Sequence, residues 1–364
     1  MNEEGARNME LNEMIDFVRK TTKRINNYID VVLIAHVLQP RGHDNQKQIN
    51  CALTEHLTLD EFNDIYRGIV NAGFFVREVF FNELELVCDM VKNCDAYRNS
   101  IVFNLARNGL AHNKKAVIPS VCELLRIAYT SSDSFSSSLA RNKLMFGRLL
   151  KGQGISVPNA WTAEELLAVE NSLPTNYKLI KKPISDSASQ GINRNSIFTS
   201  REAIIYCKKH SKPADIFFQQ FIEGYECEVP IIRIFDNIYI FPPVGISING
   251  AAGNAEIVTY QISLDNAYSF FPLENMLPLD CCAQIKEISI NTFSLLGMQH
   301  YGRVDFRIDS KLNPYIIDIS TTPYITTHSS FAYAFKQMGL EYEDIFRCII
   351  TSAVNELERY NEKN

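Results

Sequence analysis

The chain has 364 residues, 46% hydrophobic and 21% charged, which excludes a wholly disordered polypeptide and supplies apolar surface for two or three packed domains. Its 36 basic and 42 acidic residues give a net charge of −6, and no run of five like charges occurs, which excludes a generic nucleic-acid footprint. Nine scattered cysteines without a paired C-x-x-C argue against structural zinc and for a reducing, cytoplasmic setting.

Residues 1–27 are predicted as a polar tail and an amphipathic helix, with apolar positions at Leu11, Ile15, Phe17, Val18 and Ile25. The start lacks the apolar core of a signal peptide, and no apolar run reaches membrane-spanning length. Val31 to Ala35 has the continuous apolar character of a buried parallel strand. Residues 38–58 are predicted as a long loop. Leu59 to Asn71 is predicted as a helix closed by Gly73, with strands at Phe74 to Phe80 and Ile101 to Leu105 and a helix over Lys115 to Arg126. This alternation implies a parallel sheet with helices on both faces. Ser131 to Ser138 is predicted as a linker with a helix cap, preceding one helix from Leu139 to Lys151.

The second half changes rhythm. Strands are predicted at Tyr177 to Pro183, Asp215 to Ile222, Cys227 to Phe235 and Ile238 to Phe241, with a small-residue loop at Ile184 to Gly191. A helix over 279–296 precedes a hairpin, Tyr301 to Ile308 with Pro314 to Ile319, and two helices finish the chain. Cys281 and Cys282 are expected to be buried at a helix start, with nothing basic beside them to lower a thiol pKa. Trp161, the lone tryptophan, is expected to pack in the middle of the chain.

Three segments carry chemistry. In the hairpin, Asp318 and Ser320 share a face by their i, i+2 spacing, and pairing can set Asp305 opposite them. Two carboxylates and a hydroxyl make an oxygen-rich Mg²⁺ site, and Arg303 on the same face offers a cation for an anion or a developing oxyanion. The same pattern also describes a solvated strand face with an incidental ion pair. Lys182 ends a strand beside the small-residue loop, where backbone N–H groups can cover phosphates; no P-loop motif is present. In Gln219-Gln220-Phe221-Ile222-Glu223-Gly224-Tyr225-Glu226, a strand runs into a turn that could read an adenine edge by backbone and a ribose by Glu226.

Together, from about Val102 onward, these blocks resemble an ATP-grasp ligase, most similar to the D-alanine–D-alanine ligase family. Asn142-Lys143-Leu144 resembles the segment opening the family's central domain, Lys182-Pro183 its second phosphate lysine, and Gly302-Arg303-Val304-Asp305 its G-R-[IV]-D block. The stretch from Asp318 to Ser329 resembles the block that ends in T-x-H-S. The resemblance implies an α/β ATP-grasp fold of three subdomains. These are an N-terminal parallel-sheet domain (28–135, after the tail and helix of 1–27), a central α+β clamp (136–218) and a C-terminal α+β domain (219–364). It implies ATP on Lys143, Lys182, Ser187, Ser189, Gln219, Gln220, Ile222 and Glu226. It implies one or two Mg²⁺ ions, or Mn²⁺, on Asp305, Asp318 and Ser320. Arg303, Ser329 and Tyr324 take catalytic roles, Ser329 binding the nucleophile's carboxylate, while Glu55 and His328 border the substrates, although a lone histidine is more often a structural hydrogen bonder.

The departures from the family are specific. Asp318 and Ser320 stand where it has glutamate and asparagine, Tyr324 where it has glycine, and Ala188 where the flap usually keeps serine. Its acidic first-pocket loop is replaced by Ala106-Arg107-Asn108-Gly109-Leu110-Ala111-His112-Asn113. The expectation is an ATP-dependent carboxylate–amine ligase for amino-acid-like small molecules other than two D-alanines. Neither nucleic acid nor membrane is an expected partner, and a homodimer is left open. The alternative is a nucleotide-binding pseudoenzyme or regulatory protein on the same fold.

Overall fold

The computed structural model describes residues 9–38, 55–107, 111–185, 187, 189–210, 215–253 and 256–362. Helix α1 (Leu11–Ile25) buries Met14, Ile15, Val18 and Ile25 along one face. Then come β1 (Asp30–Ala35), α2 (Leu59–Asn71), β2 (Phe75–Phe80), α3 (Glu83–Lys92), β3 (Ser100–Leu105), α4 (Val117–Leu125) and β4 (Ala128–Tyr129). They form a four-stranded parallel sheet in the order β2-β1-β3-β4. β1 and β3 are central, and Val31 to Ala35 and Ser100 to Leu105 are buried throughout, as strands covered on both faces must be. Most of the predicted 38–58 loop, residues 39–54, lies outside the described residues, but Val37 and Leu57 bridge beside the end of β1.

The serine-rich stretch is not a linker. Asp133 caps α5 (Ser134–Arg141) through the Ser136 N–H, and Ser131, Ser132, Ser136 and Ser137 are buried. Gln299 N–H donates to Ser132 Oγ at 3.0 Å, and Ser136 Oγ donates to the Gly297 carbonyl at 3.2 Å. Small hydroxyls thus satisfy backbone groups where the two halves of the chain meet. The single helix predicted from Leu139 is broken at Asn142. Its extended ψ of 89° and its cap to Met145 N–H start α6 (Lys143–Gly152), so Lys143 begins a helix.

The middle of the chain holds β5 (Ala160–Trp161), α7 (Ala163–Ala168), β6 (Lys178–Pro183), β7 (Ile197–Thr199), α8 (Ser200–Lys209) and β8 (Ile216–Gln220). Their antiparallel sheet, β5-β8-β6-β7, carries its own small core of Leu166, Leu179, Ala203, Cys207 and Phe218, against which Trp161 packs.

The remainder comprises β9 (Tyr225–Ile234), β10 (Asn237–Ile240), β11 (Val244–Ile248), α9 (Tyr260–Leu264), β12 (Tyr268–Pro272), α10 (Leu279–Leu295), β13 (Tyr301–Ile308), β14 (Pro314–Ser320), α11 (Ser330–Gln337) and α12 (Tyr342–Glu362). The sheet runs β12-β11-β9-β13-β14, with β10 added to β9. Cys281 and Cys282 are buried at the start of α10. Helices α11 and α12 share one core with α1, α2, β1, β3 and β9, so the first and last parts of the chain are packed as one body. Among the described residues no helix is long and apolar enough to cross a membrane.

Candidate active site

β13 alternates strictly. Val304, Phe306 and Ile308 are fully buried on one face, and Arg303, Asp305 and Arg307 stand on the other. Antiparallel pairing sets Asp305 opposite Glu228 on β9 and Asp318 on β14, Arg303 opposite Ser320, and Arg307 opposite Glu226. A bulge after Asp305 leaves Ile317 as the extra residue on β14. The hairpin face is therefore an ordered array of opposite charges rather than a solvated surface.

Arg303 makes a two-pronged pair with Asp305, Nε to Oδ1 at 2.7 Å and Nη2 to Oδ2 at 2.8 Å, and reaches Glu228 at 3.0 Å. Its guanidinium is thus fixed by two carboxylates. Burial pushes the Asp305 carboxyl above the usual carboxylate range, against the pull of Arg303, and Glu228 adds to the rise. Glu228 is raised by burial too, Arg303 opposing. Asp318 is held below the usual range, because Lys143, ion-paired to it, and Lys182 outweigh the cost of its burial. Arg307 pairs with Glu226 at 3.3 Å and donates to the Gly224 and Glu256 carbonyls at 3.1 Å.

Lys182 is buried on β6 facing the same cleft, and burial with Lys143 nearby draws its ammonium down to about 8. Its neighbour Lys181 points the other way, over the rings of Tyr206 and Phe198. Phe221 N–H is used by the Lys178 carbonyl, and Ile222 lies in the link between β8 and β9, outside both ladders. Ile180, Phe221 and Ile257 form an apolar wall beside it.

One cleft brings together fourteen of the sixteen expected site residues: Lys143, Lys182, Ser187, Ser189, Gln219, Gln220, Ile222, Glu226, Arg303, Asp305, Asp318, Ser320, Tyr324 and Glu55. Ser329 and His328 do not line it. Ser329 Oγ accepts from Ala332 N–H at 3.1 Å and donates to the Thr326 carbonyl at 2.6 Å, capping α11. His328 packs on Tyr268 and Phe270, with ring centroids 5.1 and 5.3 Å away, and burial lowers its pKa. Tyr324 keeps a negative φ, so its backbone does not require the family's glycine. Ala188 falls outside the described residues.

Several residues of the cleft went unread in the sequence. Glu228 and Arg307 were signalled by the period-two pairs Glu226-x-Glu228 and Asp305-x-Arg307. Arg107, Lys115 and Arg141 gave no local signal. They reach the cleft from the end of β3, the short 3-10 turn Ala111–Lys115 and α5.

Glu55 is where the geometry departs furthest from expectation. It is buried and bonded to Lys114 Nζ at 3.1 Å and to Arg141 Nη1 at 3.1 and 3.3 Å. Burial alone would raise its pKa, but Arg141, Lys115, Lys114 and Arg107 together hold it at about 2. Its oxygens are engaged by cations of the chain itself, which leaves it poorly placed as an ammonium ligand.

Comparison with known proteins bears on the family and the fold. The family model described as D-ala D-ala ligase C-terminus matches residues 155–351, more than half of the chain. A D-alanine–D-alanine ligase of Bordetella petrii is 26% identical over 247 residues, covering 66% of this chain and 73% of that protein. One of a Thermotoga species is 26% identical over 288 residues, covering 79% and 87%. The crystal structure of the Bacillus anthracis D-alanine–D-alanine ligase complexed with ATP superposes with a TM-score of 0.62, covering 91% of this chain and 99% of that one. At 16% identity that likeness establishes the fold. The ordered charges of β9, β13 and β14, Lys143 and Lys182 in the cleft, and the matched family model lead to one assignment: the chain belongs to the D-alanine–D-alanine ligase family and is an ATP-grasp ligase.

Proposed function

We propose that the protein is an ATP-dependent carboxylate–amine ligase that works through an acyl phosphate on amino-acid-like substrates other than two D-alanines. The observation that carries this reading is the convergence of Lys143, Lys182, Arg303 and the opposed Asp305 and Asp318 on one cleft. A carboxylate oxygen of the first substrate attacks the γ-phosphorus of ATP, the bond to the β,γ-bridging oxygen breaks, and ADP departs. The second substrate's amine attacks the acyl carbon. Phosphate leaves with the acid's oxygen, and an amine proton passes to phosphate or solvent.

In this reading Lys143 and Lys182 hold phosphate oxygens by charge-assisted hydrogen bonds, and Ser187 and Ser189 cover them. The apolar wall of Ile180, Phe221 and Ile257 takes the base, Gln219, Gln220 and the Ile222 backbone read its edge, and Glu226 takes the ribose. Arg303, already fixed by Asp305 and Glu228, meets the tetrahedral oxyanion without reorganising, together with the Tyr324 backbone N–H. Among the described residues no three carboxylate, histidine or cysteine side chains converge as a ready metal site, so a hard cation would rest on two carboxylates and the Ser320 hydroxyl. Asp305 stands opposite Asp318 and Glu228 on one face, with Arg303 and Lys143 as their partners in the free protein, and burial, with Glu228 adding, raises the Asp305 carboxyl pKa. Asp305 and Asp318, with Ser320, would hold one or two Mg²⁺ ions, which when bound neutralise charge on the transferring phosphoryl group.

The test is ADP release from ATP and Mg²⁺ over a panel of acids and amines, followed by the mass of the product. An amide product from some pair, with little or no dipeptide from D-alanine alone, is expected. Nucleotide binding without ADP release from any pair contradicts the reading.

A further inference from the structure

Four buried cations, Arg107, Lys114, Lys115 and Arg141, surround one buried carboxylate, Glu55. Arg107, Lys115 and Arg141 line the cleft. Glu55 satisfies Lys114 and one edge of Arg141. Arg107 Nη2 and Lys115 Nζ both turn to the carbonyl of Thr322, at 3.0 and 3.4 Å, and Arg107 Nη1 donates to the Ala106 carbonyl at 3.0 Å, so these two charges meet carbonyl dipoles rather than a carboxylate. Among the described residues Asp318 is the other carboxylate acting on Lys115, and it is held by Lys143. The Arg141 side chain is 5% exposed, and its Nε has no hydrogen-bond partner; the Thr322 hydroxyl is likewise buried without one. Burial and the nearby Arg107 draw the Lys115 ammonium well below the usual lysine range, which restates the same imbalance. Buried charge without a full counter-charge is unfavourable, and a bound anion would relieve it.

The position indicates which ligand supplies that anion. Arg107 follows β3, and its N–H donates at 3.0 Å to Nδ1 of His36, which follows β1. The cluster therefore stands at the carboxyl ends of two adjacent parallel strands, where open α/β sheets take small molecules. None of its residues belongs to the apolar wall of Ile180, Phe221 and Ile257 proposed for the nucleotide base.

We infer that the cluster of Arg107, Lys115 and Arg141 binds a second anionic group on the acid that is activated, so that the first substrate is a dicarboxylate or a phosphorylated acid rather than a zwitterionic monocarboxylate. This deepens the ligase reading and rests on it for the role of the bound acid, while the binding itself can be measured apart from turnover.

The experiment is calorimetric titration of the full-length chain, with and without a non-hydrolysable ATP analogue, using pairs that differ in charge but hardly in shape. Succinate is compared with butyrate, glutamate of either hand with the matching glutamine, and phosphoserine with serine; D-alanine and inorganic phosphate are controls. The doubly charged member of at least one pair should bind tenfold or more tightly than its partner. Whether the carboxylate or the phosphate pair gives the larger ratio identifies the source of the second anion. Lys115→Met removes a cation from a net-positive cluster, so the ligand-free variant should melt no lower than the parent and should lose most of the preference. Equal binding within every pair, or tightest binding by D-alanine, overturns the inference even if the variant does not fold. Inorganic phosphate binding as tightly as any acid, or an equal loss of ATP-analogue affinity in Lys115→Met, overturns it as well and assigns the cluster to phosphate. A charge preference without ADP release in any acid–amine mixture leaves the cluster's specificity standing and removes the ligase reading.

Discussion

Lys182 shows how one buried charge sets both affinity and pH response. Burial and Lys143 bring its pKa to about 8, so in the free protein its proton is held only weakly near neutrality. Phosphate binding favours the charged form, and the apparent affinity for ATP should therefore fall as pH rises through about 8. Lys182→Arg keeps its charge across that range and should flatten the fall. Lys182→Ala should raise the ATP requirement about tenfold to a hundredfold, the equivalent of a charged hydrogen bond of roughly 1.5–3 kcal/mol. Nucleotide titrations from pH 6.5 to 9.5 measure both effects. An affinity that is constant with pH in the parent, or unchanged in Lys182→Ala, takes Lys182 out of the phosphate site.

At the scale of elements, the site depends on how β8 hands over to β9. Gly224, with φ of +142°, makes that turn, and a Cβ there would lie 1.8 Å from the Ile308 carbonyl at the end of β13. Its own carbonyl accepts from Arg307, the partner of Glu226. Gly224→Ala should cost roughly 2–4 kcal/mol from backbone strain and overpacking together. It should also weaken nucleotide binding more than a remote substitution of equal stability cost. A melting temperature within a degree of the parent would show that the turn tolerates a side chain.

The same elements show what a sequence discloses. The alternation in Gly302 to Ile308 makes β13, its buried face and its charged face legible, because a strand's period is local. Helix α2 is legible from Thr58 to Gly73, since its capping box and terminal glycine are local too. The serine-rich segment misleads because hydroxyls that favour exposed turns serve equally well to satisfy buried backbone, and only the packed partners, Gly297 and Gln299, decide between them. The cations around Glu55 are illegible for a stronger reason. Arg107, Lys115 and Arg141 sit on three separate elements, and only the tertiary fold gathers them around one carboxylate.

In the whole molecule, the division of cores sets the expected motion. The terminal helices α11 and α12 pack with α1, α2, β1, β3 and β9, and Asp344 on α12 binds Arg19 on α1 at 2.9 and 2.5 Å, so the two ends of the chain should unfold as one unit. The central sheet has a separate and much smaller core, yet it carries Lys182 and the serine loop. Hydrogen exchange should therefore be faster in β5 to β8 than in β1, β3 and β9, and an ATP analogue should slow it mainly there. Uniform exchange, unchanged by nucleotide, would contradict a clamp of lower stability closing on its ligand. The central claim is that a carboxylate is activated by direct attack on the γ-phosphate, and the fate of one oxygen tests it most directly. With the acid labelled in both carboxylate oxygens with ¹⁸O, and ATP and the amine unlabelled, each turnover should deliver one ¹⁸O atom into inorganic phosphate; phosphate that carries no label would contradict an acyl-phosphate mechanism.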